Sequence, residues 1–112
     1  MPKYVFFSLT SDSLARLMEH PEDRRGPVQQ LAAAAGGRLE DFYWMLGPYD
    51  GLAVVELPDS AAAASVAVTV VGSGAFKHFE THELLAADQF VGILQKAKTL
   101  QASYQSPGQV RT

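Results

Sequence analysis

The segment His78-Phe79-Glu80-Thr81-His82 puts two imidazoles and a carboxylate at alternate positions. On a β-strand these three side chains share one face, with neighbours roughly 6.6 Å apart along the backbone. Imidazoles at i and i+2 can converge with the carboxylate on one ion. His78, Glu80 and His82 are therefore candidate ligands for a divalent transition metal such as Zn, Cu, Fe or Ni. The same imidazoles suit proton transfer, which makes His78 and His82 candidate acid/base groups. The spacing is not that of a helical H-E-x-x-H pair. A plainer reading stays open: this is the solvated face of a strand, and the two histidines bind nothing.

Glu56 is the second chemical signal. It sits inside the apolar run Leu52-Ala53-Val54-Val55-Glu56-Leu57, where a carboxylate costs stability unless it is wet or paired. It is a third catalytic candidate, as a base or as the group that orients a histidine. Against this stands a strand-end position with access to water or to a Lys or Arg. Tyr49 and Asp50 lie in Gly47-Pro48-Tyr49-Asp50-Gly51, between two apolar runs. Proline, aspartate and glycine there are turn residues, and a hairpin demands them without any site. A phenol and a carboxylate at a cleft mouth could also hold a ligand. No phosphate-binding loop and no nucleophile elbow accompanies these groups.

The elements that must position these residues follow from pattern. Tyr4 to Leu9 reads as a strand. Thr10, Ser11 and Asp12 offer capping oxygens, and Leu14, Leu17 and Met18 follow at helical spacing. Pro27 predicts a break near Gly26-Pro27, with helix resuming at Val28 and stopping at Gly36-Gly37. Arg38 to Leu46 and Leu52 to Leu57 read as strands joined by the 47–51 turn. Asp59 or Ser60 caps a helix running to about Val71. Ala75 to Glu83 is a fourth strand. Ala86 to Ala102 is a last helix, with Phe90, Ile93, Leu94, Ala97 and Leu100 on one face. The order βαββαβ plus a C-terminal helix predicts an α+β, ferredoxin-like sandwich with its helices on one face of an antiparallel sheet. Residues 1–104 are expected to form one domain and 105–112 a flexible tail.

Such a sandwich leaves one sheet face uncovered. Strand parity assigns Val5, Phe7 and Leu9, with Ala53, Val55 and Leu57, to the helix side. Tyr4, Phe6, Ser8, Leu52, Val54 and Glu56 then fall on the open side, and Phe42 and Trp44 share one face. Both faces are largely apolar, and an apolar sheet face is expected to be covered. Pairing two such faces about a two-fold axis predicts a homodimer or a larger oligomer. The rival solution folds the last helix over that face within one chain. Tyr4, Phe6, Phe42 and Trp44 are the expected apolar wall of a ligand site, with Tyr49 and Asp50 at its mouth.

The 112-residue chain is 47% hydrophobic and 19% charged, with formal charge −3. That balance excludes a nucleic-acid binder, which needs a basic face, and no apolar run is long enough to span a membrane. No cysteine is present, which excludes thiol catalysis and thiolate metal sites. No export signal precedes the first strand, so a cytoplasmic location is expected.

The block Leu46 to Asp59 resembles the signature of the GYD-domain family: Gly-x-Tyr-Asp, an apolar strand, Glu, one residue, Pro-Asp. Gly47, Tyr49, Asp50, Glu56, Pro58 and Asp59 stand at those places. Gly36-Gly37 and Gly74 are similar in placement. The resemblance implies a ferredoxin-like unit pairing as a dimeric α/β-barrel, and it implies no reaction. The interruption at Arg24-Arg25-Gly26-Pro27 departs from a more continuous helix in the family. Two functions follow. The first is a homo-oligomeric module that binds a small, partly apolar molecule. The second is a cofactor-free or metal-dependent enzyme of monooxygenase, isomerase or lyase type, with His78 or His82 as acid/base and Glu56 orienting it; this rests on analogy of fold.

Overall fold

The computed structural model describes residues 1–108. Strands β1 (Lys3–Thr10), β2 (Arg38–Trp44), β3 (Gly51–Glu56) and β4 (Phe76–Leu84) form one sheet in the order β2-β3-β1-β4, with every neighbouring pair antiparallel. Helices α1 (Ser13–Glu19) and α2 (Arg25–Ala34) connect β1 to β2. Helix α3 (Ser60–Gly72) connects β3 to β4, and α4 (Ala87–Leu100) follows, ending in a 3₁₀ turn, Gln101–Ser103. This is the expected ferredoxin-like arrangement. Residues 109–112, half of the expected tail, lie outside the described residues.

Several boundaries have clear causes. Asp59 caps α3 through its Oδ1, which accepts the Ala62 N–H at 2.9 Å. Asp12 stands at the N-cap of α1 but makes no side-chain cap bond. The break expected at Gly26-Pro27 lies earlier, between His20 and Arg24, because α2 begins at Arg25. Pro27 is the third residue of α2, within the first turn, where its missing N–H has no helical acceptor to lose. Gly37 follows α2 where the chain crosses β3: a Cβ there would lie 1.8 Å from the Glu56 carbonyl oxygen. Only glycine permits that approach.

The core lies between the sheet and helices α2 and α3. Tyr4, Phe6, Ala53, Val55 and Leu57 of the sheet side pack with Ala32, Ala63 and Val66 of the helices. The parity expected for β1 is therefore reversed: Tyr4, Phe6 and Ser8 face the helices, and Val5, Phe7 and Leu9 face the open side. The reason is volume. Large aromatics on β1 fill the space left by the alanines of α2 and α3. The parity expected for β3 holds.

Helix α4 does not cover the open sheet face. Phe90, Val91, Ile93, Leu94 and Leu100 are all exposed, and among the described residues the helix packs extensively on no other helix or strand. The Cα radius of gyration is 18.7 Å, against about 13 Å for a compact chain of similar size. The rival placement of the last helix over the sheet is thus not the one adopted. Among the described residues no helix is long and apolar enough to cross a membrane.

Candidate functional site

The 45–51 hairpin separates two roles that the sequence could not. Gly47 takes φ +123°, a conformation that favours glycine. The Met45 N–H donates to the Asp50 carbonyl at 2.8 Å, and the Asp50 N–H to the Ser8 carbonyl at 2.8 Å. Asp50 Oδ2 accepts both the N–H and the hydroxyl of Thr10, each at 3.0 Å. Asp50 is thus an anchor that ties the hairpin to the end of β1. Asp50→Ala removes two bonds to a charged acceptor and is expected to cost about 1–3 kcal/mol, read as a shifted midpoint in urea.

Tyr49 instead folds back over the open face of the sheet. Its ring lies 5.3 Å from Phe7 and 6.3 Å from His78, centroid to centroid. Its hydroxyl donates to Glu80 Oε2. His78 Nε2 lies 2.9 Å from the same oxygen, and His82 Nε2 lies 2.9 Å from Glu80 Oε1. His82 also meets Phe7 edge to face at 5.7 Å. One carboxylate therefore gathers a phenol and two imidazoles on the open face. Hydrogen bonds from Tyr49, then His82 and His78, hold the Glu80 carboxyl down to about 2, against the opposing effect of burial. The Tyr49 phenol is pushed up, chiefly by its hydrogen bond to Glu80.

A depressed carboxyl stabilises the fold above its unfolded value near 4.5, and that contribution is lost as pH falls through about 2. Glu80→Gln lacks it. The stability gap between wild type and this variant is therefore expected to shrink from pH 5 to pH 2, measured by denaturation at each pH.

Glu56 does not join this cluster. Its Oε2 accepts from Arg38 Nε at 2.8 Å, and Glu40 bridges Arg38 at 3.6 Å and Lys3 at 3.1 Å. The acid that meets the histidines is Glu80, not Glu56. Among the described residues no group of three or more His, Asp or Glu side chains is arranged to hold a metal ion. His78, Glu80 and His82 satisfy one another by hydrogen bonds.

A second feature lies on the other side of the sheet. A cavity of about 140 Å³ opens between the sheet and helices α2 and α3. Phe6, Phe42 and Trp44 line it, as do Leu31, Val66 and Phe79. Ser8 and Arg24 bring polar groups to its wall. Phe42 and Trp44 meet edge to face at 5.5 Å, and Phe6 lies 5.4 Å from Phe79. Of the six expected ligand-site residues, three thus stand together here. Tyr4 is buried in the core, its hydroxyl 3.4 Å from Ser60 Oγ. Tyr49 and Asp50 lie away from the cavity, in the hairpin and on the open face. Phe76 and Phe79 escaped the period-two reading because the β1–β4 register shifts between Leu9 and Thr10, which brings both to one wall.

The GYD domain profile matches residues 4–94. The chain belongs to the GYD-domain family. A relative from Thermus thermophilus, "Glutamine synthetase and cystathionine beta-lyase binding protein", is 33% identical over 89 residues, which span 79% of this chain and 94% of the relative. The crystal structure of TTHA0845, also from Thermus thermophilus, superposes with a TM-score of 0.51 at 19% identity, covering 78% of this chain and 96% of that one. That likeness concerns the fold. Within the GYD block of this chain, Gly47 and Asp50 shape the hairpin, Glu56 pairs with Arg38, Asp59 caps α3, and Tyr49 reaches across to β4.

Proposed function

We propose that this GYD-domain chain is a homo-oligomeric binding protein that holds a small, partly apolar molecule between its sheet and helices α2 and α3. The observation that carries this reading is the cavity of about 140 Å³, walled mainly by apolar side chains with Ser8 and Arg24 beside them. A concave, mainly apolar space with a few polar groups is the usual form of a small-molecule site. Self-association is supported by the open sheet face, where Phe7, Leu9, Leu52 and Val54 are only half-buried, and by the exposed apolar face of α4. The Thermus relative carries the name of a protein that binds two enzymes, so a protein partner is a competing occupant for those same surfaces. Extraction of denatured wild-type protein, followed by mass spectrometry, is expected to yield one enriched organic compound. Val70 of α3 also lines the cavity, and Val70→Phe, which places a ring there, is expected to lose the compound. An extract identical to that of Val70→Phe contradicts the reading.

A second reading is an enzyme, favoured by the cluster on the open face. Glu80 stays ionised and orients two imidazoles, so His78 or His82 would move the proton and Glu80 would position it. Pairing two open faces would enclose this cluster and exclude water from it. Loss of a turnover by His82→Ala, with ligand retention in the inner cavity unchanged, would favour this reading over the first.

A further inference from the structure

The inner cavity adjoins a wider depression of about 310 Å³ that shares Arg24, Trp44 and Phe76 with it as walls. The depression differs in chemistry. Arg16, Glu22 and Arg24 line it, together with the hydroxyls of Thr10 and Ser13. Two guanidinium groups thus face one carboxylate, in a chain whose net charge is −3. Glu22 Oε1 occupies Arg24 Nη1 at 2.7 Å. Arg16 donates to Ser13 Oγ at 3.3 Å and pairs with no carboxylate among the described residues. Donors therefore remain on both arginines of the depression, and Arg24 stands on the wall that it shares with the apolar cavity.

We propose that the bound molecule is an amphiphilic carboxylate, with its apolar body in the inner cavity and its carboxylate at Arg24 and Arg16. This rests on the binding-protein reading and narrows it to a ligand class. The cavity sets the size of the body. An apolar cavity of about 150 Å³ can accept benzene, so the size suits a single ring or a chain of about six carbons. Guanidinium presents a planar fork of donors that matches a carboxylate. The unpaired Arg16 gives the depression a positive excess that an uncharged head group would not use. Trp44 sits on the shared wall and is the only tryptophan in the chain. Its fluorescence reports on both compartments.

The test titrates the full chain with 3-phenylpropionate and with its neutral counterpart, 3-phenylpropanol, following Trp44 fluorescence. Both are expected to bind saturably, the carboxylate at least about tenfold tighter, with the gap shrinking as salt rises. Arg24→Gln is expected to weaken the carboxylate far more than the alcohol and so narrow that gap, with circular dichroism showing that the variant is folded. Val70→Phe is expected to abolish both. Equal affinities for the acid and the alcohol overturn the carboxylate assignment and leave the apolar site standing. No binding of either overturns both. Carboxylate binding that survives Val70→Phe overturns the assignment as well, because it marks an adventitious surface ion.

Discussion

Gly37→Ala is expected to leave almost no folded protein. The new methyl would sit 1.8 Å from the Glu56 carbonyl oxygen and 2.9 Å from a Leu57 methyl, and neither can move freely. Glu56 ends β3, and its residue pairs with Arg38 on one side and Lys3 on the other. Leu57 is fully buried and donates its N–H to the Pro2 carbonyl at 3.0 Å. Relieving the clash therefore displaces the end of the central strand pair and the best-buried core residue together. Losing the Leu57 side chain alone is worth about 2–5 kcal/mol, and a domain of this size holds only about 5–15 kcal/mol in total. Circular dichroism and solubility on expression are sufficient readouts. Gly26→Ala is the control: nothing lies within 4 Å of a Cβ there, so it should fold normally.

Under the proposed pairing of open sheet faces, Val54→Lys is expected to leave the chain a folded monomer. Val54 is at the centre of the open face, opposite Val5 on one neighbour and Asp41 on the other. In a lone chain the new ammonium can lie beside the Asp41 carboxylate and reach water. Between two paired sheets it would be buried, at several kcal/mol per ion. Two-fold symmetry applies that cost twice. Self-association should weaken by about a hundredfold or more, since each 1.4 kcal/mol is a factor of ten. Sedimentation velocity would show the change, and an unchanged Trp44 response to 3-phenylpropanol would show the inner cavity intact.

Fold and site were not equally legible in the sequence. Element order was, because turn residues and capping groups punctuate it clearly: Asp59 before α3, Gly36-Gly37 before β2, the 47–51 turn between β2 and β3. The side of β1 that faces the helices was not. Tyr4 and Phe6 alternate with Val5 and Phe7, so both registers offer an apolar face, and only the small residues of α2 and α3 decide between them. Irregular pairing also hid the cavity. The β2–β3 register shifts between Leu39 and Asp41, and the β1–β4 register shifts near Phe76, so strict alternation misplaces side chains on either side. Glu56 drew attention because it interrupts an apolar run, yet its partner Arg38 is 18 residues away and visible only once β2 and β3 pair. Glu80 was legible as a member of an alternating trio. Its bond to Tyr49, 31 residues distant, depends on the hairpin tip folding back across the sheet, which no local pattern encodes. Arg24 lies in the irregular stretch before α2, where its role as a cavity wall had no periodic signal to announce it.

Native mass spectrometry of untagged protein, prepared without added metal or ligand, tests the binding-protein reading most directly, because it reads subunit number and bound mass together. The expected result is an assembly of at least two subunits carrying an organic mass, reduced to the bare polypeptide mass in Val70→Phe. A bare monomer would contradict both self-association and ligand binding.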